Sequence, residues 1–234
     1  MLINLSIVIP AKFEAENLKI LLPTIKKICS DVIVIDGHSN DGTEDICKTN
    51  SVRFYLDNNL GKGDAQKIGA NYSLNENIIF FDADGSHDIE DIKKIYYYLN
   101  TNLYEIILTS RKTGGTLDTT SSTSIIGLIR STGCDLLTLL FNKLFNTKFT
   151  DILYSYKGIK KKNFLILNLS ENGFGVEIEI LAKSVIKKFN ILEIESREKK
   201  RVYGKSKLST IVGVYFIFQI IKYYFNKKNF FNKN

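Results

Sequence analysis

The sequence predicts an α/β protein whose mostly parallel sheet is covered by helices on both faces. Three observations carry that prediction. Short apolar runs alternate with helix-like stretches through the first half of the chain. Hydrophobic residues make up 44% of the 234 residues against 24% charged, which supports a real core and excludes a disordered chain. Polar residues able to do chemistry sit at the carboxyl ends of the apolar runs, where sheets of this kind bind ligands.

The elements follow in order. "LSIVIP" (5–10) reads as the first strand and 14–29 as a helix. "VIVID" (32–36) is the second strand, with a helix over 42–48. "VRFYLD" (52–57) is the third, followed by a helix over 62–73. "IIFFD" (78–82) is the fourth, with a helix over 89–99, and "YEIILTSR" (104–111) is the fifth. Beyond it, "TLDTTSSTSI" (116–125) is a Ser/Thr-rich loop suited to a lid or connector, and a long helix runs from 125 to 145. Residues 171–190 read as a helix entered through glycines; 191–208 alternate like a strand and then turn strongly basic. No internal repeat is evident.

The length allows one large domain, or one domain with an appendage. The boundary falls at 208/209, where "TIVGVYFIFQIIKYYF" (210–225) begins, followed by the basic tail "NKKNFFNKN". A membrane-spanning helix needs roughly 20 predominantly apolar residues, and this segment is shorter and carries Gln219 and Lys222. It reads either as an interfacial helix on a membrane surface or as a helix packed on the domain. No signal peptide is expected at the N-terminus, which reaches Pro10, Lys12 and Glu14 after one short strand. Cys29, Cys47 and Cys134 are scattered and form no zinc or disulfide pattern, so they are expected to be core thiols in a reducing compartment.

A net charge of +7 points to an anionic partner: nucleic acid, a phosphorylated substrate or an anionic membrane. The sharpest local signal is "FFDADGSHD" (80–88), where an apolar strand ends on two carboxylates one residue apart. Asp and Gly are also ordinary turn residues, and Asp88 could simply cap the next helix. As a pair, however, Asp82 and Asp84 could address one hard cation, Mg2+ or Mn2+, which leaves sites for phosphate oxygens. Topology brings Pro10 to Glu14, Asp36, Asp82, Asp84 and Arg111 to one rim. "GKGDAQ" (61–66) lacks the spacing of a nucleotide-binding P-loop.

Taken together, "SIVIPAKFEAENL", "VIVIDGHSNDGT", "GKGDAQKIGA", "FFDADGSHDIEDI", "ILTSR", "FTDILYSYKGIKK", "VEIEILAKS" and "RVYGKSKL" resemble, in order, the motifs of inverting family-2 glycosyltransferases. The form is that of dolichyl- and polyprenyl-phosphate mannose (hexose) synthases, and it spans about residues 4–208. The resemblance implies a GT-A fold and a nucleotide-sugar site. Pro10, Ala11 and Glu14 would line the nucleotide pocket, with Lys62 and Ala83, and Asp36 would lie near the base or ribose. Asp82 would contact nucleotide or metal, Asp84 would be the principal metal ligand, and Ser86 stands where some relatives carry a metal-binding Gln. Arg111, Arg130, Arg201 and Lys205 would hold phosphates of donor and acceptor. The chain departs from the usual pattern in "PAKFE", in "DGHS", where Gly37 replaces a carboxylate, and in the tyrosines flanking Ser155.

The resemblance implies inverting transfer of a mannose- or glucose-type hexose from a GDP- or UDP-sugar to a polyprenyl or dolichyl phosphate, metal-dependent, at the cytoplasmic face of a membrane. A lipid phosphate needs no strong general base; a hydroxyl acceptor would, with His87, Asp88 or Asp151 as candidates. His87 otherwise reads as a turn residue, and Glu177 either as an orienting group or as part of a solvated helix face. Transfer to a saccharide or small soluble acceptor is the alternative. A nucleotidyltransferase would open with a glycine-rich basic loop that "IPAKFEAEN" does not resemble. A nucleic-acid-binding module has no groove-reading motif to support it, so nucleic acid is not an expected partner.

Overall fold

The structure, a computed structural model, describes residues 1–112, 125–199, 201, 203 and 212–231, without the side chains of 125–131 and 228–231. Among these residues seven strands form one sheet in the order β3-β2-β1-β4-β6-β5-β7. The strands are β1 (Leu2–Ala11), β2 (Cys29–Asp36), β3 (Arg53–Leu56), β4 (Asn77–Phe80), β5 (Ile106–Ser110), β6 (Lys157–Lys160) and β7 (Ile191–Glu195). Every pairing is parallel except those of β6, which runs antiparallel to both β4 and β5.

Helices α1 (Ala15–Ile28), α2 (Thr43–Thr49), α3 (Lys62–Tyr72) and α4 (Asp91–Asn100) follow the first four strands. After β5 come α5 (Ile125–Phe145), α6 (Lys161–Ile166), α7 (Val176–Ile186) and α8 (Val212–Phe231). Side-chain alternation explains the two layers. Ile7, Ile9, Val32 and Val34 point to one face and pack under α1 and α4 with Leu18, Leu22, Ile92 and Ile95. Their neighbours Val8, Ile33 and Ile35 point to the other face, against Ala65 of α3 and the apolar sides of α5, α7 and α8.

Three expectations shift. The fourth strand ends at Phe80, leaving Phe81 and Asp82 beyond it. The helix expected over 171–190 starts at Val176, and the strand expected at the start of 191–208, before the basic stretch, spans Ile191–Glu195. The expected Ser/Thr-rich loop lies outside the described residues apart from its last residue, Ile125, which opens α5. Strand β6 and the short helix α6 that follows it are elements the sequence pattern did not announce: "KGIK" is short and polar and has no alternation to read. The strand is buried because it lies between β4 and β5. A Cβ on Gly158 would lie 2.3 Å from Ile95 Cγ2 and 2.8 Å from Leu99 Cδ1, so the missing side chain is what lets α4 lie against this strand.

Helix α8 packs through Phe216, Ile220 and Tyr223 into the core cluster that holds Phe141 and Phe145 of α5. Its opposite side leaves Val214, Ile217, Phe218, Ile221 and Phe225 exposed. At about 100° per residue these five fall within an arc roughly 100° wide. No helix among the described residues is long and apolar enough to cross a membrane.

Candidate functional site: a charged cavity at the sheet edge

The register explains why distant segments meet. Ala11 pairs with Asp36 in the parallel β1–β2 ladder, and Phe80 and Ser110 end β4 and β5. The antiparallel β6 contributes its beginning to the same edge, because Phe80 pairs with Lys157. Residues 151–156 therefore arrive beside Asp82. The parallel β7, with Ser110 opposite Glu195, delivers 196–201 to that edge as well.

These segments enclose a cavity of about 910 Å3. The turns at the sheet edge and the start of α3 line it with Pro10, Ala11, Lys12, Glu14, Gly37, Asp57, Lys62, Asp82, Ala83, Asp84, Ser86, Arg111 and Arg201. Its apolar lining comes from Leu136, Leu137 and Leu140 of α5, Leu153, Phe174, and Val214, Phe216 and Ile217 of α8.

The turn after β4 is built around Gly85, whose φ of +78° lies in the region that side chains disfavour. The carboxylate of Asp84 accepts the Ser86 N–H at 3.0 Å through Oδ1, and its Oδ2 lies 2.5 Å from the Arg201 guanidinium. Asp82 is engaged on both oxygens. Oδ1 accepts from Lys62 Nζ at 2.7 Å and Oδ2 from Ser155 Oγ at 2.5 Å. Burial pushes the Asp82 carboxyl up, but the Lys62 ammonium and the nearby His87 ring outweigh it and hold the group well below the usual range. Lys62 is correspondingly raised: burial works against its charge, and Asp82 and Glu177 overcome that.

His87 is buried, stacked at 4.4 Å on the Tyr156 ring and edge-on to Phe81 and Tyr154. Its Nδ1 accepts the Asp82 N–H at 3.1 Å, which assigns the neutral ring's proton to Nε2. Burial lowers its pKa to about 4, against the opposing pull of Asp82 and Asp84. The imidazole therefore acts as a brace for the turn.

Arg111 is held in a fork by Asp151, at 2.6 and 3.1 Å, reaches Glu198 at 3.3 Å and lies over the Tyr154 ring at 4.8 Å. Burial opposes its charge, yet Asp151 and Glu198 drive its pKa up, so it is a permanent cation. Burial raises Glu198, although Arg111 pulls it down.

Of the residues the sequence singled out, Pro10, Ala11, Glu14, Lys62, Asp82, Ala83, Asp84, Ser86, Arg111 and Arg201 converge on this one cavity. Asp36 is not among its lining; its carboxylate instead takes the Ser39 N–H and Oγ, both at 2.7 Å, and shapes the turn that carries Gly37 to the wall. Arg130 lies on α5 but its side chain is outside the described residues, as is all of Lys205. Of the three thiols expected in the core, Cys29 and Cys47 are buried, whereas Cys134 is partly exposed and lines the cavity. Sequence reasoning left three contributors without a role: Ser155 on Asp82, Glu198 on Arg111, and Lys157 beneath Glu177. The first and third depend on the antiparallel strand, and nothing short of the topology would have found them.

The donor set suits a hard divalent cation. Among the described residues no three carboxylate, imidazole or thiolate groups form a ready-made cage. Mg2+ and Mn2+ are commonly held by one or two carboxylates with substrate phosphates and water, and Asp84 on the wall offers one such carboxylate. Asp82 offers the second, and each of the two has both oxygens engaged within the protein, by Lys62 and Ser155 and by the Ser86 N–H and Arg201.

Comparison with known proteins agrees with this architecture. The family model described as "Glycosyl transferase family 2" matches residues 6–175. Glycosyltransferase AglJ of Haloferax volcanii is 24% identical over 152 residues, 64% of this chain and 48% of that protein. Undecaprenyl-phosphate mannosyltransferase of Micrococcus luteus is 24% identical over 223 residues, 88% of each chain. The chain spans about half or less of AglJ and of a 4,4'-diaponeurosporenoate glycosyltransferase from Staphylococcus haemolyticus. Among solved structures, glucosyl-3-phosphoglycerate synthase of Mycobacterium tuberculosis, in complex with Mn2+, UDP-glucose and phosphoglyceric acid, superimposes with a TM-score of 0.73 at 17% identity. That match covers 94% of this chain and 79% of the synthase, and it shows a shared GT-A fold.

Proposed function

The chain belongs to glycosyl transferase family 2, and on that premise we propose that it transfers a hexose, with inversion, from a GDP- or UDP-linked donor to a polyprenyl phosphate. The observation that carries the reading is the mixed lining of one cavity. Lys12, Lys62, Arg111 and Arg201, with the carboxylates among them, suit a diphosphate and a divalent cation, and the apolar side chains of α5 and α8 suit the first isoprene units of a lipid acceptor. A small soluble acceptor would have no use for that apolar wall. The relative from Micrococcus luteus, named for undecaprenyl phosphate, supports the same choice.

In this reading Pro10, Ala11, Glu14 and Ala83 border the nucleotide, and Asp36 acts from beneath through the 36–39 turn. Lys62 and Arg201 face the donor diphosphate, and Arg111 holds the acceptor phosphate; Arg130 and Lys205 are further candidates for those phosphates. Mg2+ or Mn2+, when bound, neutralises the departing diphosphate. Asp84 would hold it with phosphate oxygens and water, with Asp82 and Ser86 behind. An acceptor phosphate oxygen attacks the anomeric carbon as the bond to the diphosphate breaks, and the configuration inverts. That oxygen is already anionic, so no proton need be removed. The site agrees with this, because His87 is a low-pKa brace and Asp151 is committed to Arg111. Positioning and charge stabilisation then supply the rate.

The exposed apolar arc of α8 continues from the cavity's apolar lining, since Val214 and Ile217 belong to both. Residues 1–208 act in this reading as the transferase domain. Residues 209–234 are the appendage, whose helix α8 rests on the domain through one side and lies on the cytoplasmic leaflet through the other, with basic residues such as Lys222 meeting anionic headgroups.

The test is transfer from a panel of labelled GDP- and UDP-sugars, with Mn2+ or Mg2+, into a polyprenyl phosphate. Counts extracted into organic solvent from one donor, and lost on adding EDTA, are expected. Transfer only to a saccharide or another water-soluble acceptor would overturn the lipid assignment while leaving the family intact.

A further inference from the structure

We propose that Lys157 and Glu177 are a positioning pair for the donor diphosphate, a role that rests on the donor reading above. Lys157 opens β6 with its side chain 2% exposed, and Glu177 lies in the first turn of α7 at 5%. Lys157 Nζ pairs with Glu177 Oε2. The other oxygen, Oε1, accepts from Gln66 Nε2 at 3.1 Å and lies 3.7 Å from Lys62 Nζ, which is itself 2.7 Å from Asp82 Oδ1. Four alternating charges thus run from beneath the sheet edge to the cavity: Lys157, Glu177, Lys62, Asp82.

Glu177 lines the cavity and Lys157 does not. A carboxylate on that wall, left uncompensated, would repel a diphosphate and would tie up the charge of Lys62. Lys157 cancels it from behind, so that of the two carboxylates beside Lys62 only Asp82, at 2.7 Å, still draws fully on its charge, while Glu177, held by Gln66, keeps its direction. Burying a lysine against a carboxylate is costly, and an apolar pair would often serve stability as well. Electrostatic balance beside the donor gives the pair a use that packing alone does not.

The experiment measures affinity for UDP and GDP, each with Mn2+, by calorimetry on parent, Lys157→Gln, Lys157→Met and the double variant Lys157→Met/Glu177→Gln. Circular dichroism establishes which variants are folded. Lys157→Gln keeps a hydrogen-bond donor to Glu177 but removes the charge, so it separates charge from packing. The expected result is about tenfold or greater weakening in either single variant, the scale of losing one partner of a buried charge pair. Recovery to within about threefold is expected in the double variant, where the orphaned carboxylate is gone. In turnover assays the single variants should raise the donor KM and leave the acceptor KM unchanged.

Affinity within about twofold of the parent in folded Lys157→Gln would reduce the pair to a packing role and overturn the proposal. If Lys157→Met does not fold, Lys157→Gln and the double variant still decide. A parent that binds neither nucleotide would overturn the donor assignment, and this inference with it; donor binding with unaltered variants overturns the inference alone.

Discussion

At the scale of single residues, two neighbouring carboxylates face the cavity. Both are engaged on both oxygens, Asp82 by Lys62 and Ser155 and Asp84 by the Ser86 N–H and Arg201, and the family resemblance makes Asp84 the principal metal ligand. Asp84→Ala is therefore expected to lower metal-dependent transfer by about a hundredfold or more, with the far-ultraviolet spectrum unchanged; full activity in that variant would remove Asp84 from the site. A second residue gives a pH prediction away from the cavity. Glu179 is buried and accepts the Ser170 N–H and Oγ, the Glu171 N–H and the Lys183 ammonium. Burial raises its pKa, but these donors outweigh it and the net direction is down. A carboxylate depressed in the folded state stabilises the protein above its unfolded pKa of about 4.3 and loses that contribution as pH falls through the lower folded value. Glu179→Gln should cost about 1–3 kcal/mol near neutrality. Below about pH 4 the gap to the parent should narrow, as read from urea midpoints across pH. At this scale the sequence was informative wherever a motif carried the residue, as at Asp84, Lys62 and Arg111. It was silent on Ser155 and left Glu177 undecided, because burial and partnership are properties of the assembled sheet.

At the scale of elements, periodicity announced the parallel strands because each is an apolar run long enough to count. It failed at β6, whose "KGIK" has no alternation and owes its burial to its neighbours. Gly158 is the residue by which that strand can be tested. Gly158→Ala would drive a methyl group into Ile95 and Leu99 of α4, and a cost of about 1–3 kcal/mol in unfolding free energy is expected. The C-terminal segment resolves differently from either alternative alone: α8 has one side in the core and one apolar side exposed. Substitution on the exposed side separates the two roles. Phe218→Ser with Phe225→Ser should leave stability within about 0.5 kcal/mol. Cosedimentation with phosphatidylglycerol-containing vesicles should fall about tenfold or more, since burying each aromatic is worth about 1.5–3 kcal/mol. Unchanged cosedimentation would remove α8 from the membrane reading. Ile220→Ser, on the buried side, should instead lower the unfolding midpoint.

At the scale of the whole molecule, the parallel half of the sheet provides a rigid edge, and the antiparallel β6 and the parallel β7 bring a second set of side chains to that same edge. The result is a cavity whose polar and apolar linings are contributed by different parts of the chain: the segments following β1 to β5 and β7 for the polar lining, α5 and α8 chiefly for the apolar one. The fold class and the polar lining were legible because alternation and short motifs are local. The apolar lining was not, because leucines at helical spacing in α5 look the same whether they face a core or a ligand. In the proposed reading one cavity receives donor and lipid acceptor together. The most direct measurement is photolabelling with a photoreactive isoprenoid phosphate in the presence of UDP or GDP and Mn2+, followed by peptide mapping. Labels on Leu136, Leu140, Val214 or Ile217, competed by unmodified polyprenyl phosphate, are predicted. Labelling confined to Phe218, Ile221 and Phe225 on the outer side of α8, or insensitive to that competitor, would contradict this reading.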